Sequence, residues 1–342
     1  MRVLVVTNMY PNPEQPAFGT FVKDQVEALR QAGVAVDVLF INGRKDKLNY
    51  LWGIFRFWRT LFRRRYDIIH AHHAISGFVA RLQFLYPVVV TYHGGEVLVH
   101  VPPWLRFLAR RGLRIFDRII VVNQREKEFI LDVKSVRDSR VIVIPCSVNL
   151  DQFHPIPLTE ARALLELPMD KSLVLWAGEY WQYEKRFELV EEAMDVLKQR
   201  CLEAELVLVS GKPHSIIPIY MNACDALVLT SRSEGSPMVI KEAMACNLPI
   251  VSTRVGDVPE VIAGVEGCYL VDPVAEDVAD KLLRVLQQRQ RTGGRDEIKH
   301  LGSGSITQRI IDVYNELCPS KRQLVTTVTR GRTQNTLSEI LK

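Results

Sequence analysis

Short apolar runs rich in valine and isoleucine recur along the chain, separated by stretches in which apolar residues return every three or four positions. The first pattern predicts buried strands and the second amphipathic helices. In the first half the predicted strands are residues 3–7, 36–41, 68–71, 88–92, 119–123 and 141–145. The second half supplies 173–177, 206–210, 225–230 and 267–271. Helical spacing follows several of them, ending near Gln31, Gln199 and Gln290 and spanning 237–245 and 306–317. Such alternation predicts an α/β fold with parallel sheets covered by helices on both faces, and the spacing of the first six strands fits a doubly wound domain.

At 342 residues the chain is longer than one core usually fills, so two domains are expected. The stretch from Pro145 to Pro155 is punctuated by proline at both ends and marks the crossing between them. Apolar residues make up 47% of the chain and mean hydropathy is +0.02, values of a globular protein. No apolar run reaches the roughly 18 residues of a spanning helix. The first residues form a strand directly and are interrupted at Asn8 and Pro11, too soon for a secretion signal, so a cytoplasmic location is expected. Cys146, Cys201, Cys224, Cys246, Cys268 and Cys318 are scattered without a C-x-x-C pair, which indicates neither a disulfide framework nor a zinc site.

Charge changes the picture more than composition does. Residues 1–150 hold 22 lysines and arginines against 12 acidic residues, and the remainder holds 22 against 27. The overall +5 hides a basic first half that predicts an anionic partner. Residues 44–66 concentrate this character. Leu48, Leu51, Trp52, Phe55, Trp58 and Phe62 fall at helical spacing, with Arg56, Arg59 and Arg63 on the other side. An interfacial helix is written this way, its apolar face in the acyl boundary and its arginines on anionic headgroups. A helix packing the same stripe on a sheet would carry the same pattern. Arg56, Trp58, Arg59 and Arg63 are the membrane-contact candidates, and a second run from Trp104 to Arg114 has a similar composition. Nucleic acid is the competing anion, but no helix-turn-helix, zinc or RNA-binding pattern accompanies the basic residues, so no nucleic acid is expected.

Candidate chemistry collects at strand ends, where open parallel sheets build their sites. His70, His72 and His73 close one strand and His93 another. The three histidines lack a carboxylate partner at metal-site spacing, so no metal is expected. The proline-rich loop of residues 8–21 contains no G-x-G-x-x-G, which removes the main support for a nicotinamide cofactor. The stretch 231–253, SRSEGSPMVIKEAMACNLPIVST, follows a strand and opens a helix. Glu234 and Glu242 stand slightly over two helical turns apart, so both carboxylates share one side of that junction. Gly235 and Ser236 would expose backbone N–H groups at the helix start, beside a proline, Pro237, suited to a first turn. Unsatisfied donors and the positive dipole end suit phosphate there.

This stretch resembles the signature of family 4 glycosyltransferases, in which E-x7-E is followed by an EAMA-C-x-x-P-[IV]-V turn. Here it reads EGSPMVIKE and AMACNLPIV. The resemblance continues at Gly19, matching a loop glycine beside the donor phosphates; at His93, matching a strand-end HG motif near the transferred sugar; and at Lys185, matching a diphosphate lysine. Gly256-Asp257-Val258-Pro259-Glu260 matches a G-G-x-P-E turn. Three departures stand out. Glu179 occupies an arginine position, leaving Arg186 to supply the second charge; Asp257 replaces a glycine; and the interval before Asp225, where the base commonly sits, is compressed.

The resemblance implies two Rossmann-like domains facing a cleft, the GT-B fold: residues 1–155 on the acceptor side, 156–305 holding the nucleotide sugar, a helix at 306–318 crossing back, and a loosely ordered tail at 319–342. It further implies retaining, metal-independent transfer of a sugar to a hydroxyl, with no cofactor beyond the nucleotide-sugar donor. Glu234 and His93 would be catalytic, and Gly19, Lys185, Arg186, Gly235, Ser236, Pro237, Met238 and Glu242 would bind the donor. With the basic first half, the expected acceptor is a lipid-linked or polysaccharide precursor at the inner face of the cell membrane. Two alternatives stay open: a sugar-nucleotide 2-epimerase of the same fold, and a non-catalytic sugar-nucleotide or membrane-binding module.

Overall fold

The computed structural model describes residues 1–15, 18–94, 112–132, 136–200 and 203–319. Most of the second basic run, up to Arg111, and the tail from residue 320 lie outside the described residues. Backbone packing divides the chain into two units, Met1–Ser147 together with the stretch from Ser303, and Val148–Gly302.

Unit 1 alternates β1 (Arg2–Thr7), α1 (Thr20–Gln31), β2 (Ala35–Phe40), α2 (Asn49–Arg63), β3 (Ile68–His72), α3 (Ala74–Ala80), β4 (Val88–Tyr92), β5 (Arg118–Val121), α4 (Gln124–Leu131) and β6 (Val141–Val143). Among the described residues these strands form one parallel sheet in the order β2-β1-β3-β4-β5-β6. β3 and β4 are buried along their whole length, as helices on both faces require; β4 reads as an almost continuous apolar run, whereas β3 carries His70 and His72 into the interior. The chain steps from β1 out to β2 and back across to β3. The loops after β1 and β3 therefore diverge and leave a crevice at the carboxyl edge, where Thr7 pairs with His72 and His72 with Thr91.

Unit 2 contains α5 (Leu158–Leu164), β7 (Ser172–Ala177), α6 (Phe187–Gln199), β8 (Ala204–Val209), α7 (Ile217–Ala223), β9 (Ala226–Leu229), α8 (Met238–Ala245), β10 (Ile250–Thr253), α9 (Val258–Val261), β11 (Cys268–Val271), α10 (Ala275–Gln288) and α11 (Gly294–Glu297). The order β11-β10-β9-β7-β8 is again parallel, with the switch point between β7 and β9. At the opposite, amino end of this strand pair, Asp225 ties β9 to β7, accepting from the Leu173 amide at 2.7 Å and from the buried Arg162 guanidinium at 2.8 Å. The last helix, α12 (Ser303–Leu317), belongs to unit 1 and packs on α1. Its buried Tyr314 hydroxyl lies 2.6 Å from Nδ1 of His70.

α2 divides the apolar stripe read from sequence between the core and the surface. Phe57 and Leu61 enter the core with Leu4, Val6 and Ile69, and Tyr50, Ile54 and Trp58 pack against that cluster. Gly53 touches Ile41. Trp58 is half-buried: it packs against this cluster and lies 6.0 Å, ring centroid to centroid, from Phe62. The remainder of the stripe read from sequence is exposed: Leu51 and Trp52 each to 66% and Phe62 to 84%. The helix is thus apolar on two faces, one packed and one open, with Arg56, Arg59 and Arg63 exposed. No helix among the described residues is long and apolar enough to cross a membrane.

Candidate active site

In unit 2 the segments after β7 and β9 bring the predicted side chains together. Residues 183–185 form a 3-10 turn after β7, and Arg186, with φ 49° and ψ 51°, opens α6 from the left-handed region. The Thr230 hydroxyl donates to the carbonyl of Lys185 or Arg186, at 3.2 and 3.0 Å, which ties this turn to the end of β9. The Lys185 ammonium then reaches Glu234 Oε1 at 2.7 Å, and Ser231 Oγ donates to the same oxygen at 2.7 Å. Glu234 is consequently held in one orientation by two donors. Glu179 is exposed and engages Gln182. The Arg186 Nε is buried without a partner among the described residues, so that guanidinium keeps an unused donor.

Behind Glu234, Gly256 explains how two turns approach so closely. Its φ is +54°, and a Cβ there would lie 2.3 Å from the Gly235 carbonyl oxygen. Ser236 follows, its hydroxyl donating to Asp257 Oδ2 at 2.7 Å, and the Lys241 ammonium donates to both at 2.7 and 2.8 Å. Lys241 is fully buried and Asp257 nearly so. This buried pair fixes the start of α8 against the β10–α9 turn, beside Pro237 and Met238. Asp257 is thereby explained: the carboxylate that departs from the glycine pattern is matched by a lysine inside the helix. One sequence signal pointed to it, a lysine amid the apolar positions Val239, Ile240, Ala243 and Met244.

Glu242, also buried, is met by a residue sequence reasoning passed over. His214 Nε2 stands 2.7 Å from Glu242 Oε1, and its ring packs on Phe153 with centroids 5.3 Å apart. The compressed interval before Asp225 thus delivers a histidine to the second glutamate.

In unit 1, Gly19 adopts φ +75°, and a Cβ would fall 2.4 Å from the Met9 carbonyl carbon, so the space it leaves is filled by the returning backbone of its own loop. Phe21, in the first turn of α1, packs on His93 at 4.7 Å. His93 Nε2 lies 2.9 Å from His72 Nδ1, with the rings stacked at 12°, and His72 stacks in turn on His70. Nδ1 of His93 and Nε2 of His72 are buried without partners among the described residues. Burial holds His70 down to about 3 and keeps His72 and His93 well below the ordinary histidine range. All three rings are therefore neutral at pH 7. Neutral imidazoles joined by a single hydrogen bond leave one outer N–H and one outer lone pair between them. His73, at φ 81° and ψ 149°, caps α3 in a region nearly confined to glycine. No group of three or more His, Cys, Asp or Glu side chains among the described residues is placed to hold a metal.

Comparison with known proteins gives this arrangement its context. Residues 1–152 match the family model described as Glycosyltransferase Family 4, and residues 171–288 match Glycosyl transferases group 1. The chain belongs to the family 4, group 1 glycosyltransferases. It resembles TuaC of Bacillus subtilis, a glycosyltransferase assigned to teichuronic acid biosynthesis, at 26% identity over 83% of this chain and 89% of that protein. Sucrose-phosphate synthase from Thermosynechococcus elongatus shares the fold with a TM-score of 0.77 and 21% identity, over 94% of this chain and all of that one. HepE of Anabaena, solved with UDP-glucose, shares it with a TM-score of 0.71 and 16% identity, over 92% of this chain and all of that one. This glycosyltransferase therefore has the GT-B fold and moves a sugar from a nucleotide-sugar donor, which sets aside the epimerase and the non-catalytic module.

Proposed function

We propose that this glycosyltransferase acts with retention of anomeric configuration and without a metal ion, transferring a hexosyl group to a hydroxyl of a lipid-linked or polysaccharide precursor. The observation that carries the reading is the Lys185–Glu234 pair at the unit 2 switch point, next to the opening of α8. Departure of a nucleoside diphosphate builds negative charge on its terminal phosphate. Lys185, the spare Nε–H of Arg186 and the backbone N–H groups at the start of α8 are donors of the kind that stabilises it. Those donors perform the charge neutralisation a divalent cation performs elsewhere. Glu234, oriented by Ser231 and Lys185, receives hydroxyls of the donor sugar and supports the positive charge that develops on its ring; Glu242, oriented by His214, receives the ribose. His93 and Gly19 are assigned to the sugar and the phosphates by resemblance to the family pattern. The similarity to HepE makes UDP-glucose the first donor to try.

The exposed face of α2 supports work at a membrane surface. Leu48, Leu51, Trp52, Phe55 and Phe62 are the apolar face, and Arg56, Arg59 and Arg63 the exposed charges beside it. Two assays test the function. Nucleoside diphosphate release with a panel of nucleotide sugars and lipid-linked acceptors should require Glu234, and the anomeric coupling constant of the product should match that of the donor. An inverted product rejects the retaining mechanism. Flotation with anionic vesicles should weaken when Leu51, Trp52 and Phe55 become serine, and unchanged flotation rejects α2 as a membrane contact.

A further inference from the structure

At the opposite edge of unit 1 from His72 and His93, the amino ends of β5 and β6 and the chain leading into β4 surround a recess of about 320 Å³. Three guanidiniums line it: Arg81 just after α3, Arg114 before β5 and Arg140 before β6. One carboxylate, Asp117, faces them, and it is already engaged by the Val88 amide at 2.8 Å and by Arg81 at 3.4 Å. Arg140 spends one N–H on the Arg114 carbonyl at 3.1 Å. The Arg81 Nε is buried with no acceptor among the described residues. Five N–H groups per guanidinium leave most of these donors without a partner among the described residues, and the described lining carries net positive charge. A recess of this size fits a phosphate group, for which guanidiniums are the preferred partners.

Its rim is apolar where solvent would favour polar residues. Phe84 is 86% exposed, with the Arg81 guanidinium 5.7 Å from its ring centroid, and Leu85 beside it is 76% exposed. α2 runs from the carboxyl end of β2 to the amino end of β3, so its last turn, with exposed Phe62 and Arg63, reaches this same edge. Exposed aromatic and aliphatic side chains around an arginine pocket are the chemistry of a lipid interface, with headgroup below and acyl chain at the rim.

We propose that the Arg81–Arg114–Arg140 recess binds the phosphate of an anionic membrane lipid while Phe84 and Leu85 enter the acyl boundary beside it. This deepens the membrane reading of the preceding subsection, and it assigns a headgroup site that the α2 stripe does not include.

The test is flotation of the full chain with phosphatidylglycerol or phosphatidylcholine vesicles, for the unaltered protein, for Arg114→Gln/Arg140→Gln and for Phe84→Ser/Leu85→Ser. Circular dichroism and a nucleotide-induced thermal shift confirm that each variant is folded. Each arginine near an anionic surface contributes about fivefold in partitioning, so the double arginine variant should bind phosphatidylglycerol vesicles roughly 25-fold more weakly. The rim variant should also weaken, and phosphatidylcholine should bind poorly throughout. Unchanged flotation of both variants, with loss only when Leu51, Trp52 and Phe55 are replaced, overturns the recess and leaves the α2 contact standing. A thermal shift with inorganic phosphate that disappears in Arg114→Gln/Arg140→Gln, with vesicle binding intact, assigns the recess to a soluble phosphate and overturns the lipid. Absence of vesicle binding by the unaltered protein overturns both.

Discussion

The Lys185 ammonium lies 2.7 Å from Glu234 Oε1, two residues 49 apart in sequence brought together by the β7–β9 switch point. The pair is partly open to solvent, with side-chain exposures of 24% and 17%. On the proposed reading this ion pair exchanges partners when a diphosphate arrives. Replacing Lys185 with alanine leaves Glu234 facing the incoming phosphates with no cation between them. The expected loss in kcat/KM for the donor is about 100- to 1,000-fold, the usual magnitude for removing one donor to a developing anion. Steady-state kinetics on folded Lys185→Ala protein measure it, and a loss under threefold would remove Lys185 from the site.

Lys241 and Asp257 form a buried pair of a different kind, 2.8 Å apart and closed to solvent. Breaking it from one side strands the other charge. Lys241→Met should destabilise unit 2 by about 3 to 5 kcal/mol in urea denaturation, while changing both partners to apolar residues should recover much of the loss. Near-wild-type stability of the single variant would mean that the ammonium does not carry the α8 start.

Gly256 sets how closely the β10–α9 turn approaches Glu234 and Gly235. Gly256→Ala should cost about 1 to 3 kcal/mol from backbone strain and should weaken nucleotide-sugar binding by pushing the Glu234 loop outward. Calorimetric titration reads the second effect, and unaltered affinity would contradict this placement of the loop.

The histidines of unit 1 give a pH prediction with a definite sign. His70 is held at about 3 and His73 at about 4, and His72 and His93 well below normal, each chiefly by burial. In the unfolded chain these groups titrate near the usual value of about 6.5. Below that pH the unfolded state binds protons that the folded state does not, so stability is full above pH 6.5 and falls as pH drops toward the folded values. His72→Asn keeps a hydrogen-bonding group next to His93 without titrating. It should flatten the stability profile between pH 6 and 5 by about one proton, or about 1.4 kcal/mol per pH unit. An identical slope in the variant would show that His72 is not buried neutral.

The strands were legible because a parallel sheet covered on both faces demands largely apolar runs, and β1, β4 and β7 are written that way. Glu234, Gly235 and Glu242 were legible because they sit close together on one strand-to-helix junction. What sequence did not reveal depends on which strands become neighbours. His214 meets Glu242 across 28 residues, His72 meets His93 across 21, and Tyr314 reaches His70 across 244. α2 shows a second limit. Its periodicity was plain, but two apolar stripes share the helix, and only packing tells that Phe57 and Leu61 face inward while Leu51 and Trp52 face out.

The measurement that bears most directly on the central claim is a thermal-shift titration of a nucleotide-sugar panel, starting with UDP-glucose, against the unaltered protein, Lys185→Ala and Glu234→Ala. Saturation at about 100 times Kd stabilises a protein by about 2.7 kcal/mol, a shift of about 5 to 10 °C for a domain of this size. At least one nucleotide sugar should produce that shift in the unaltered protein, and it should shrink or vanish in both variants. A shift of equal size in all three proteins would contradict a donor site built on Lys185 and Glu234.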